Sequence, residues 1–262
     1  MAYNPNSNSY RTAGISGYTG ANAAVLDQGL RAYMLRIYNW MASGLVLTGI
    51  IAYAISHTAL MNAFYPLVQA SDGSLVYRPT ILAYAAIFSP MVFVMVLSFG
   101  VNRLSVQAAQ ALFWAFCACM GASLTSIFVI YTQTSISEVF FITAAMFAGM
   151  SLYGYTAKAD LTRFGSFLVM GLIGILVAML VNFFLHSPAV NFAISVIGVL
   201  VFTGLAAYDT QRIKVSYLQF GSAYGSEMAN KRSVYDALTL YLNFINLFMF
   251  LLQLFGQQRN SR

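Results

Sequence analysis

Apolar positions in this chain come in long unbroken blocks separated by short polar breaks. Neither the strict alternation of a half-buried strand nor the narrow stripe of a soluble amphipathic helix dominates. A helix needs roughly 20 apolar residues in a row to cross a bilayer. Such runs lie at approximately 36–57, 80–100, 106–131, 137–156, 164–186, 189–211 and 234–256, and they predict seven transmembrane helices. Two connections are long. Residues 58–79 hold Pro66 and the turn-like SDGS, and residues 212–233 hold Gly221, Gly225, Arg212, Lys214, Lys231 and Arg232. Residues 1–28 are rich in Asn, Ser, Gly and Tyr without an apolar core, the composition of a disordered tail rather than a signal peptide. The expected organisation is that tail followed by one transmembrane domain over 29–262.

Composition sharpens the class. The chain is 60% hydrophobic and 8% charged, against about 25% charged in a typical soluble domain. The net charge of +6 does not point to nucleic acid, because basic residues in a membrane protein chiefly set topology. With a cytoplasmic N-terminus, the inner segments collect Arg11, Arg31, Arg36, Arg103, Lys158, Arg163, Arg212, Lys214, Lys231 and Arg232. The outer segments keep Arg78, Arg259 and Arg262. The predicted fold is therefore an all-α integral membrane bundle, N-terminus inside. The basic QQRNSR after the last run leaves two readings of it, a full crossing or a re-entrant segment.

Several residues do not look like packing. In SVYDALTLYLNFINLFMFLLQLF, the residues Asp236, Thr239, Asn243, Asn246 and Gln253 recur at helical steps along one face. Lipid does not tolerate such a stripe, so it faces the bundle interior or a wet cavity, where it either bonds helices together or lines a path. Asp209, in GLAAYDTQRIK, stands near a helix C-terminus, where the backbone already carries partial negative charge. Arg212 and Lys214 suit the water boundary beyond it. Asp209, Asp236 and Arg103 converge at the cytoplasmic level, and Arg103 is expected to pair with Asp209.

Other candidates read as structural. Cys117 and Cys119 point to nearly opposite sides of one helix and fit free packing thiols. Glu138 complements a helix N-terminus, and His57 and His186 sit at outer helix ends. No nucleophile–base pair, phosphate-binding loop or His–Glu metal motif occurs, so no enzyme and no cofactor are expected.

AYDTQRIK, LTLYLNFINLF, MGASLTSIF and DLTRFGSFLVMGLIGIL together resemble the Bax inhibitor-1 family, also called the transmembrane Bax inhibitor motif family, over nearly all of residues 30–256. The resemblance implies a seven-helix bundle with the last helix central, and a pH-sensitive calcium leak in a bacterial inner membrane. It assigns Asp209 as the titratable group of a gate and Arg103 as its latch. The second aspartate of the family pattern is Asn243 here. Calcium takes oxygen ligands, so Asp209 and Asp236, with Asn243 and Asn246, are expected to touch the ion transiently. The implied partners are lipid, calcium and protons. The competing reading is a regulatory protein that binds another membrane complex, such as a quality-control protease.

Overall fold

A computed structural model describes residues 20–71, 73–100, 104–220 and 225–259. Arg103, and residues 1–19 of the expected tail, lie outside these described residues. In chain order the elements are α1 (Gly20–Ser56), α2 (Leu60–Phe64), β1 (Leu67–Gln69), β2 (Leu75–Tyr77), α3 (Ile81–Gly100), α4 (Val106–Ile130), α5 (Gln133–Thr156), α6 (Thr162–Leu185), α7 (Pro188–Phe220) and α8 (Ser226–Phe255). Six of these helices (α1, α4, α5, α6, α7 and α8) are long and apolar enough to cross a membrane. Over the described side chains α3 contributes Ile81–Leu97, a shorter apolar helix, at the place of the second predicted span.

The long connection at 58–79 is more ordered than its turn residues suggested. It folds into α2 and an antiparallel hairpin pairing Leu67 with Tyr77, Val68 with Val76 and Gln69 with Leu75. Gly73 makes the reversal at φ 85°, a conformation that costs a residue without Cβ little. Ser105 and Thr132 cap α4 and α5 by accepting from the amides of Ala108 and Ser135.

Three helix ends run past the expected boundaries. α1 begins at Gly20, inside the stretch assigned to the tail. α7 continues to Phe220 and α8 begins at Ser226, so most of the connection at 212–233 is helical. The boundary at 211 followed from the first charges. Charge ends a membrane span but not a helix, and α8 starts afresh from Gly225 as its N-cap.

Burial is inverted relative to a soluble protein. The most apolar span, α6, is the least buried, with Phe164, Phe167, Met170 and Phe184 facing outward. α8, which carries the polar stripe, is the most buried of the six spans and packs against α1, α4, α5 and α7. That arrangement suits a solvent of hydrocarbon, where packing and interhelical hydrogen bonds hold helices together.

α8 runs unbroken between the two ends of the bundle. Near its start Tyr33 of α1 bonds Asp236, and near its finish Ser195 of α7 bonds Gln253. Beyond its end the chain docks on the α4–α5 junction. Thr132 N donates to Gln257 O at 3.0 Å, Arg259 N to Ile130 O at 2.8 Å and Gln257 N to Ser135 Oγ at 2.9 Å. α8 thus covers the full height of α5, so the two readings of the last run resolve to a helix that does not turn back.

Close approach depends on glycine at the α5–α7 contact. A Cβ on Gly154 would stand 2.1 Å from the Ala207 carbonyl oxygen, a backbone atom that cannot step aside. Gly154→Ala is expected to cost about 1–3 kcal/mol through forced separation of the helices. Gly149→Ala is the control, because open space surrounds that position. Thermal unfolding of both variants in detergent checks this, with a lowered midpoint for the first and an unchanged one for the second.

Candidate functional site

The segment Asp209–Lys214 is one and a half turns of α7. Successive helix residues point about 100° apart, so three in a row can reach three different neighbours. Asp209 is 5% exposed and turns toward α8. Its Oδ2 accepts from Asn243 Nδ2 at 2.7 Å, and its Oδ1 lies 2.9 Å from Arg212 Nη2, one turn further along the same helix. The Arg212 side chain is 48% exposed, so the carboxylate is buried while its cation reaches the edge of the bundle.

Thr210 is fully buried and turns toward α5. It donates to Ala206 O at 2.8 Å, which uses its single hydroxyl proton, so it accepts from Ser151 Oγ at 2.8 Å. Ser151 in turn accepts from the Tyr38 hydroxyl of α1. The result is a directed chain, Tyr38 to Ser151 to Thr210, across three helices.

Gln211 holds the α5–α6 connection with both ends of its carboxamide. Nε2 donates to Ala159 O at 2.8 Å, and Oε1 accepts from Leu161 N at 2.7 Å. Lys214 Nζ donates to Tyr155 O at 2.6 Å, giving a cation to the C-terminal end of α5. In the connection itself, the Thr162 hydroxyl and amide donate to Asp160 and hold that carboxyl below its ordinary range.

The stripe on α8 divides by partner. Asn243 meets Asp209, and Gln253 accepts from Ser195 Oγ at 2.8 Å, so these two join α8 to α7. Asp236 accepts from the Tyr33 hydroxyl at 2.7 Å and stands 3.9 Å from Arg232 Nε. Thr239 and Asn246 donate to the carbonyls of Tyr235 and Leu242 on their own helix. Asp209 and Asp236 therefore take separate partners, although their charges lie within electrostatic range of each other and of Arg212. Among the described residues, no three or more His, Cys, Asp or Glu gather where they could hold a metal ion.

Of the predicted site residues, the structure brings Asp209 and Asn243 into contact, sends Asp236 to α1, and turns Asn246 onto its own backbone. Arg103 is outside the described residues, and the cation found on Asp209 is Arg212. The three-residue spacing of Asp209 and Arg212 signals such a pair in the sequence. Tyr33, Tyr38 and Ser151 carry no comparable local signal.

A multi-pass helical membrane protein with a buried carboxylate clamped between its last two helices is the class these features define. The sequence profile of the family described as inhibitor of apoptosis-promoting Bax1 matches residues 30–260, and the chain belongs to this Bax inhibitor-1 family. An uncharacterized protein of Caulobacter vibrioides is 46% identical over 234 residues, covering 89% of this chain and 92% of its own length. The inner membrane protein YbhL of Escherichia coli K12 is 44% identical over 232 residues, 88% of this chain and 94% of its own. An uncharacterized membrane protein of Streptococcus pyogenes is 36% identical over 231 residues, 88% and 95% of the two chains. The chain is a multi-pass protein of the inner membrane.

Gln211→Ala strands the Leu161 amide and the Ala159 carbonyl. The expected cost is about 1–3 kcal/mol, the usual penalty for an unsatisfied buried group. Hydrogen exchange should rise at residues 158–162 while the middle of α7 stays protected, and unchanged exchange there would remove Gln211 from this role.

Proposed function

We propose that the chain is a pH-sensitive, calcium-permeable leak, a seven-span bundle with its N-terminus in the cytoplasm and α8 as its central helix, gated at Asp209. The observation that carries this reading is the buried Asp209 carboxylate, bonded on one oxygen to Asn243 of α8 and on the other to Arg212. The two donors respond differently to a proton. Asn243 can rotate its carboxamide and accept, whereas a guanidinium only donates. Protonation of Asp209 therefore releases Arg212 first and leaves the contact to α8 resting on Asn243 alone. Asp209, Asp236, Asn243 and Asn246 offer oxygens for brief contact with a passing calcium ion. Arg103 is a second candidate for the latch, and the two arginines are separable by mutation.

The test is calcium entry into sealed liposomes holding the purified protein alone, across about pH 6 to pH 8, where perturbed carboxylates titrate. Calcium is expected to move down its gradient without an energy source. Asp209→Asn should remove most of the pH dependence. Arg212→Ala should favour opening, with Arg103→Ala run beside it to assign the latch. Asn243→Asp should steepen the flux-versus-pH curve, because two carboxylates in contact titrate as a pair. A chain that passes no calcium in this range sinks the leak reading and supports a regulatory protein that restrains another membrane complex, such as a quality-control protease.

A further inference from the structure

α1 and α5 stand apart along the bundle, and α8 is visible between them. Two clefts fill this gap end to end, sharing Leu45, Val46 and Phe140 where they meet. The first, about 570 Å³, has Met34 and Met41 of α1 and Ala144 and Ala148 of α5 as its walls, with Phe147 and Phe244 also lining it. At its end away from the second cleft stand Arg31 and Tyr155. Arg31 is exposed, and among the described residues its guanidinium has neither an ion-pair nor a hydrogen-bond partner. Lys214 is bonded to the Tyr155 carbonyl. The second cleft, about 440 Å³, ends at Tyr53, Gln133 and Ser137, and among the described residues no charged side chain lines it.

We propose that the first cleft seats one acyl chain of an anionic phospholipid, its phosphate on Arg31. Length supports this. The cleft runs from Arg31 to Val46 on α1 and from Tyr155 to Phe140 on α5, about 22 Å at about 1.5 Å per residue. Half of a bilayer with its headgroups is about 20–22 Å, so a lipid with its phosphate at Arg31 ends its chain where the two clefts meet. Charge supports it too, since the cation stands at one end only and selects one leaflet. Between its ends the lining is mostly apolar, with Met34, Met41, Ala144, Ala148, Phe147 and Phe244, as an acyl chain requires. The inference is independent of the leak reading and holds whether or not the protein conducts calcium.

The test uses the full chain in detergent, incubated with phosphatidylglycerol or phosphatidylcholine of identical acyl chains, with retained lipid counted by native mass spectrometry. Phosphatidylglycerol should be retained about fivefold more strongly, the preference that one basic residue contributes near an anionic surface. Arg31→Ala should reduce it to the phosphatidylcholine level, and Ala148→Phe, which fills the cleft, should lower retention of both. A phosphatidylglycerol carrying a diazirine in its acyl chain, applied to the unaltered protein, decides the matter if either variant misfolds. Labelling of α1 and α5 peptides that line the cleft is the expected result. Labelling confined to other helices, equal retention of the two lipids, or a second copy of the chain shielding the cleft would each overturn the proposal.

Discussion

A carboxylate buried in an apolar helix pair must find donors within the protein, because hydrocarbon offers none. Leaving a charge uncompensated in such surroundings costs several kcal/mol. Asp209 meets this constraint with one donor from α8 and one from its own helix. The pairing with Asn243 fixes both the rotation of α7 about its axis and the height of α8 beside it. Other polar bonds along α7 depend on that setting. Thr210 reaches Ser151 only if Asp209 faces α8, since the two side chains diverge by about 100°.

Packing around the clamp is built to permit it. Gly154 lets α5 approach the Ala207 carbonyl, which brings Ser151 and the Tyr155 carbonyl within reach of Thr210 and Lys214. On the other side, a Cβ at Gly198 would meet the Phe250 ring at 2.6 Å, so that glycine sets the distance between α7 and α8. Small residues do for this bundle what large apolar ones do in water. They bring backbones close enough for side-chain hydrogen bonds to form.

The segment YDTQRIK has an economical physical explanation. Its polar residues divide the work: Asp209 meets α8, Thr210 and Lys214 meet α5, Gln211 holds the α5–α6 connection, and Arg212 completes the clamp from within α7. One and a half turns of a single helix thereby tie down most of one end of the bundle. A substitution here changes a joint between elements rather than a surface.

Six of the seven expected spans, the class of the protein and the polar stripe on the last helix were legible in the sequence, because hydropathy and helical spacing are local. The three-residue spacing of Asp209 and Arg212 is local too, yet the expected partner was Arg103, and Arg212 was read as a boundary charge. The family resemblance singled out Asp209 and Asn243 as facing positions, and the structure puts them 2.7 Å apart. Which partner Asp236 takes was not legible. Tyr33 lies 203 residues away, and reaching it depends on how α1 is rotated and offset against α8. The continuation of α7 to Phe220 was hidden as well, since charges mark where a membrane ends and say little about where a helix does. The gap between α1 and α5 is a property of the assembled bundle alone. It exists because both helices pack on α8 but scarcely on each other, and helix-to-helix distances follow from side-chain interlocking that no single segment contains.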